Sequence, residues 1–212
     1  EPATTEEIAD TVTVMGGEDW EYWMDALLTA DLLAPNAKTV AYTYIGSELT
    51  WPIYWEGTLG KAKADLDRAS AQIQQKLQPT GGDARVAVLK AIVSQASAAI
   101  PVVPLYAALL FRVMKEQGSH ETCIEHIDRL FASQLQADAE MRLDEAGRIR
   151  VDDLELADQV QAEVKRRWPL VNTDNLPELG DLTGFREDFL KIFGFGIDGV
   201  DYDAEVDPQR IS

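Results

Sequence analysis

Only two stretches of this chain have the composition of buried β-strands, and two strands do not make a stable open sheet. KTVAYTYIG, residues 38–46, is β-branched and aromatic, follows a Pro35-Asn36 turn and stops at Gly46. ARVAVLKAIV, residues 84–93, has strand composition as well, although periodicity alone also allows a helix there. The rest of the periodic sequence reads as helix, which predicts a helix-rich α/β fold. The missing strands are expected from an upstream segment or another chain. EPATTEEIAD, which opens without an initiator methionine, gives the same expectation of a piece cut from a longer polypeptide.

The helices are marked by their ends. Thr5 with Glu6 and Glu7 predicts a capped start, and Gly16-Gly17 a stop. From about Asp19, the residues Trp20, Trp23, Met24, Leu27 and Leu28 form one apolar stripe. A long helix is predicted over 58–77, closed by PTGGD, and a strongly apolar one from Val103 to Gly118 after Pro101. Over 120–136 the expected inward face is Cys123, Ile124, Ile127, Leu130, Phe131 and Leu135. MRLDEAGRIRV, residues 141–151, alternates around a glycine turn and predicts a small β-hairpin. Asp152 or Asp153 is expected to cap one helix over DLELADQVQAEVKRRW, and a last helix is predicted near 183–193. The division expected is a catalytic region, residues 1–137, and a C-terminal hairpin and helical region, residues 138–212.

Charge and cysteine usage narrow the class. A net charge of −18, from 37 acidic and 19 basic side chains, argues against affinity for nucleic acid or anionic membranes. The lone Cys123 cannot form an internal disulfide and fits a reducing compartment, so a cytoplasmic protein is expected. No apolar run is long enough to span a membrane.

Two motifs are decoys. Gly194, Gly196 and Gly199 match a dinucleotide-binding pattern, but the preceding segment reads as helix, no helix clearly follows, and Asp198, Asp201, Asp203 and Glu205 would repel a pyrophosphate. A turn-rich packing loop is expected instead. His120, Cys123 and His126 recur every three residues, yet the outer pair lies about 120° apart around a helix and no further histidine completes a zinc site. One buried cysteine between exposed histidines is expected, with no metal. Neither a nucleophile-elbow motif nor HExxH occurs.

TYIGSELTWPIYWEGTLGKAK, beginning at Thr43, carries two tyrosines, two lysines and two tryptophans. A phenol near an ammonium can polarise a carbonyl, donating to its developing oxyanion while the cation lowers the phenol pKa. An amphipathic helix start with aromatic anchors and solvated lysines is the plainer reading, and spacing alone favours it.

With KTVAYTYIG, ELTWPIYWEGTLGKAK, AIVSQASAAIPVVPLY and the FGFGIDGVDYDAEVDP tail, the chain resembles the trans-2-enoyl-CoA reductases and FabV-type enoyl-acyl carrier protein reductases from about Ala3 to Pro208, matching only their C-terminal half. The resemblance implies the C-terminal part of a Rossmann-like, short-chain-dehydrogenase-type domain with added helices. It implies NADH-dependent reduction of the C2–C3 double bond of enoyl-CoA or enoyl-acyl carrier protein thioesters, in fatty acid synthesis. The family's Tyr-x8-Lys pair falls on Tyr54 and Lys63, which makes Tyr54 the catalytic tyrosine and Lys63 the lysine that holds the nicotinamide ribose. Tyr44 would contact the acyl substrate, and Ile92, Val93 and Ser94 would meet the nicotinamide end. The family's glycine-rich phosphate loop belongs to its N-terminal half, so this polypeptide alone is expected to be a weak or inactive reductase. Some descriptions of the family also place FAD on its C-terminal region, for which the residues show no flavin signature. A non-catalytic acidic helical interaction module, or a related short-chain dehydrogenase with another substrate, are the alternatives.

Geometry adds a condition. Nine residues at about 100° each would put Tyr54 and Lys63 on opposite sides of a continuous helix, whereas Lys61 would lie about 20° from Tyr54. Either Lys61 is the working lysine or the helix is broken near Pro52, Gly57 and Gly60. The break is the expected resolution, with Thr58 capping a helix that starts after Gly57.

Overall fold

The computed structural model describes residues 2–136 and 139–207. Two amphipathic helices, α1 (Thr5–Met15) and α2 (Glu18–Thr29), precede strand β1 (Lys38–Thr43). A single turn, α3 (Trp51–Tyr54), then leads into the long α4 (Thr58–Leu77) and strand β2 (Asp83–Val88). Helices α5 (Gln95–Ala99), α6 (Val103–Glu116) and α7 (Cys123–Leu130) follow, the last continuing as one π-turn over Phe131–Leu135. Strand β3 (Ile149–Arg150), α8 (Asp153–Leu156), α9 (Asp158–Arg167), α10 (Leu176–Leu179) and α11 (Leu182–Ile192) complete the order.

The sheet is parallel throughout, in the order β1-β2-β3. Lys38 to Thr43 pair in register with Asp83 to Val88, and Ala87 and Val88 pair with Ile149 and Arg150. The chain thus supplies a third strand itself, contrary to the expectation that further strands had to come from elsewhere. The predicted hairpin survives only as an antiparallel bridge between Leu143 and Ile149, because its second arm joins β2 instead. β2 ends at Val88, so the run from Leu89 to Val93 leaves the sheet and becomes a loop.

Helix α4 packs against α1, α2 and β2, and α6 against α9 and α11. The largest core is built on α6, where Tyr106, Leu110, Phe111 and Met114 meet Val160, Val164 and Phe185. A second joins Ala87, Leu89, Leu130, Ile149 and Val151, and a third joins Met24, Ile73, Leu77 and Ala84. Trp23 stays 63% exposed and does not share the Met24 stripe, while Trp20 turns in and donates from Nε1 to Thr39 Oγ1 at 2.9 Å.

Several local expectations shift by physical cause. The cap of α1 is Thr4, in a reciprocal box with Glu7, one residue before the predicted Thr5. Ala157 adopts an extended conformation and divides the predicted 153–168 helix into α8 and α9. Asp152 makes no side-chain cap bond there, because its carboxylate is held by Arg150 at 2.6 Å. Gly194, Gly196 and Gly199 all have positive φ in exposed turns, and among the described residues no helix follows them. The expected boundary between the two regions, at residues 137 and 138, lies outside the described residues. Among the described residues no helix is long and apolar enough to cross a membrane.

Candidate active site

In an open parallel α/β sheet, ligands sit beyond the carboxyl ends of the strands. Here those ends are Thr43 and Tyr44 after β1, and Leu89 to Ser94 after β2. They open on a cavity of about 280 Å³, also lined by Met15, Tyr54, Leu59, Lys63 and Ile100.

Tyr54 and Lys63 reach this cavity because the backbone between them is broken. Tyr54 is the last residue of α3, and Gly57, with φ −78° and ψ −174°, is extended before α4 begins. The predicted departure from a regular helix is therefore present. Gly57 occupies the cap position, so Thr58 is the first helical residue and not the cap. Gly60 makes the fold-back sterically possible, since a Cβ there would lie 1.9 Å from the Trp55 carbonyl oxygen.

The two side chains meet through charge and π-face. The Lys63 ammonium lies 5.6 Å from the Tyr54 ring centroid and donates to Thr43 Oγ1 at 2.9 Å. Burial pulls the Lys63 pKa down to about 8, against the opposing pull of Asp67. Lys61 is exposed and lines a different cavity, with Trp55, Asp67 and Arg148, which Lys63 borders from its other side. Because the ammonium faces the ring and not the hydroxyl, it does not lower the phenol pKa as anticipated; burial raises the pKa of Tyr54. Among the described residues the Tyr54 hydroxyl forms no hydrogen bond, which leaves its proton available to a ligand oxygen.

Tyr44 stands edge-on to Tyr54, with ring centroids 4.8 Å apart and planes at 86°. Its hydroxyl donates to Glu155 Oε1 at 2.8 Å. Burial, reinforced by the Glu155 carboxylate, pushes the Tyr44 pKa well up. Ile92 and Ser94 line the cavity. Val93, expected at the nicotinamide end, is instead buried in the α6 core and does not line the cavity. Ser94 accepts from Ser97 N–H at 3.1 Å and starts α5, which holds the loop in place.

Three side chains of the site had no signal in the sequence. Lys90 is 1% exposed yet lines the cavity; its ammonium donates to the Ala91 carbonyl at 3.2 Å and sits 5.4 Å from the Phe111 ring centroid. Burial holds its pKa below the usual lysine value. Glu155 and Tyr106 are fully buried behind Tyr44. The two histidines expected to be exposed are not: His126 is buried and His120 is half-buried. His126 accepts from the Lys90 N–H at 3.3 Å and faces Glu121, while His120 packs on Phe111 beside Asp188. Ile124 and Phe131, expected inward on that helix, are 61% and 52% exposed. Among the described residues no cluster of potential ligands could hold a metal ion.

Comparisons with known proteins find relatives over nearly the whole chain. Residues 1–136 match the family model described as the trans-2-enoyl-CoA reductase catalytic region. Residues 143–206 match one described as an enoyl reductase FAD binding domain. The enoyl-[acyl-carrier-protein] reductase [NADH] of Opitutus terrae is 59% identical over 209 residues, covering 99% of this chain and 53% of its own. That of Shewanella frigidimarina is 60% identical over 214 residues, with the same coverages. The crystal structure of Clostridium acetobutulicum trans-2-enoyl-CoA reductase in complex with NAD superposes with a TM-score of 0.88 at 47% identity, over 97% of this chain and 53% of that one. The Treponema denticola enzyme in complex with NAD gives 0.87 at 48% identity, over 97% of this chain and 51% of that one. The chain thus spans about half the length of the relatives it matches. The chain belongs to the trans-2-enoyl-CoA reductase family.

Proposed function

We propose that this chain is the catalytic half of an NADH-dependent reductase acting on the C2–C3 double bond of trans-2-enoyl-CoA or enoyl-acyl carrier protein thioesters, in the cytoplasm. The observation that carries the reading is the convergence of Tyr54, Lys63, Tyr44, Ile92 and Ser94 on one cavity at the strand ends.

Tyr54 donates a hydrogen bond to the thioester oxygen as that oxygen takes up enolate charge, the raised pKa keeping the phenol protonated, and the enolate then collapses by taking up a proton at C2. Lys63, pinned by Thr43, places a positive charge on the same side of the cavity and offers its remaining donors to ribose hydroxyls. Apolar side chains of Leu59, Leu89, Ile92, Ile100 and Val103 exclude water from the reacting carbons. The nicotinamide end of NADH fits this wall, with Lys63 for the ribose and Ile92 and Ser94 for the ring. NADH, when bound, supplies the hydride for C3.

The described residues offer no strand–glycine turn–helix seat for adenine and pyrophosphate, and β1 presents an outer edge that no described strand covers. Both features fit a companion N-terminal half that pairs with β1 and carries the phosphate loop. FAD does not fit the residues matched by its model: the GxGxxG glycines among them, Gly194, Gly196 and Gly199, lie in exposed turns, and among the described residues no helix follows them. No step is routed through a flavin.

Joining this chain to the segment of the Opitutus terrae relative that it lacks tests the reading. Crotonyl-CoA-dependent oxidation of NADH by the joined protein is expected. No turnover in a folded product, with either crotonyl-CoA or an enoyl-acyl carrier protein, overturns it.

A further inference from the structure

Glu155 is the most deeply buried carboxylate of the described residues, with 0% of its surface exposed, and its two oxygens hold parts of the site that are far apart in sequence. Oε1 accepts from Tyr44 at 2.8 Å and from Tyr106 at 2.7 Å, while Oε2 accepts from the Ala91 backbone N–H. Tyr106 is itself fixed, accepting from Ser47 Oγ and Gln161 Nε2, each at 3.2 Å. Gln161 Nε2 also donates to the Glu155 carbonyl at 2.7 Å, which fastens α8 to the start of α9. The carboxylate therefore sits at a rigid node. Tyr44 and Ala91 are the two points at which that node touches the wall of the cavity.

We propose that Glu155 is a positioning residue of the reductase site, setting the direction of the Tyr44 hydroxyl and the seat of the residue 91–94 backbone; this rests on the reading given under Proposed function. A phenol has one proton, and that of Tyr44 is committed to Glu155, so Tyr44 turns only a lone pair toward the cavity. Tyr54 is left as the phenol that can donate to a thioester oxygen. The same carboxylate anchors the first residue of the loop that would meet the nicotinamide. In this way α8, which lies in the stretch matched by the second family model, contributes to the chemistry of the first.

The substitution Glu155→Gln keeps size and shape but reverses the direction of bonding. With the amide oxygen on Ala91 N–H, the amide nitrogen faces Tyr44 and Tyr106 as a donor, and Tyr44 releases its proton into the cavity. In the joined protein described above, KM for crotonyl-CoA and for NADH should each rise about tenfold, with the same unfolding temperature to within a few degrees. In a Tyr44→Phe background, where no hydroxyl remains to turn, Glu155→Gln should raise KM for crotonyl-CoA by no more than about threefold, because coupled neighbours are not additive. Unchanged KM values, or an equal effect in both backgrounds, overturn the proposal. Should Glu155→Gln fail to fold, Tyr106→Phe serves in its place. It removes one donor from the same oxygen without touching the cavity, and should raise KM for crotonyl-CoA about threefold. A lowered unfolding temperature with KM unmoved would assign Glu155 to structure alone. Tyr54→Phe in the same protein separates the two claims. If Tyr54→Phe stays active, the reading of the site fails; if it is inactive while Glu155→Gln is normal, only the role of Glu155 fails.

Discussion

Lys63 is held at a cost to the fold, and replacing it with methionine should make the isolated chain more stable. Burial lowers its pKa from 10.5 to about 8. At about 1.4 kcal/mol for each tenfold change, keeping the ammonium charged in the folded state at pH 7 costs at most about 3 kcal/mol. In Lys63→Met the thioether chain would keep most of the stem's packing and lose the bond to Thr43, worth about 1 kcal/mol, which leaves a net gain of about 2 kcal/mol. For a chain of this size that is a rise of roughly 4–8 °C in the unfolding midpoint. The sign with pH follows from the direction of the shift. The folded pKa is the lower one, so the penalty is fully present below pH 8, shrinks as pH rises from 8 toward 10.5, and vanishes above that. Thermal unfolding of wild type and Lys63→Met, followed by circular dichroism at pH 7 and again near pH 10, should show the advantage of the variant narrowing. A variant less stable at pH 7, or an advantage that grows with pH, would refute the reasoning. The stability gained is expected to accompany loss of function, as when a strained site group is relaxed.

Gly60→Ala should destabilise the chain by about 2 kcal/mol or more and separate Tyr54 from Lys63, since the new Cβ would stand 1.9 Å from the Trp55 carbonyl oxygen; urea unfolding reads the first effect. In the joined enzyme, kcat/KM should fall as pH rises through about 8, when Lys63 loses its charge, and a pH–rate profile that stays flat to pH 10 would contradict a role for the ammonium.

Local chemistry was readable where neighbours in sequence decide it. The strand predicted over 38–46 and the break at Gly57 follow from residue types that act on their own backbone; the break is present, and the strand is present but ends at Thr43, three residues before Gly46. The pairing of Tyr54 with Lys63 over Lys61 needed more, because it depends on Gly60 admitting the Trp55 backbone, a contact that spacing does not reveal. The strand at Ile149 and Arg150 was legible only as the second arm of a hairpin, and its pairing with β2 was not, because that partner lies some sixty residues earlier in the chain. Polar residues at long range were the least legible. His126 was expected to be exposed and Glu155 and Lys90 carried no signal, yet all three are buried, with Glu155 meeting the Ala91 N–H and His126 the Lys90 N–H across long separations in sequence. Trp23, Ile124 and Phe131 show the converse, apolar residues that the fold leaves outside.

The central claim is that Tyr54 is the phenol that acts on the thioester oxygen. Its most direct measurement is the steady-state rate of crotonyl-CoA-dependent NADH oxidation by the joined protein carrying Tyr54→Phe, a change that deletes one hydroxyl and leaves the ring against Tyr44 and Lys63. Loss of one preorganised oxyanion donor should lower kcat by about 100-fold or more with little change in KM for NADH. A variant with the kcat of the parent would contradict the account.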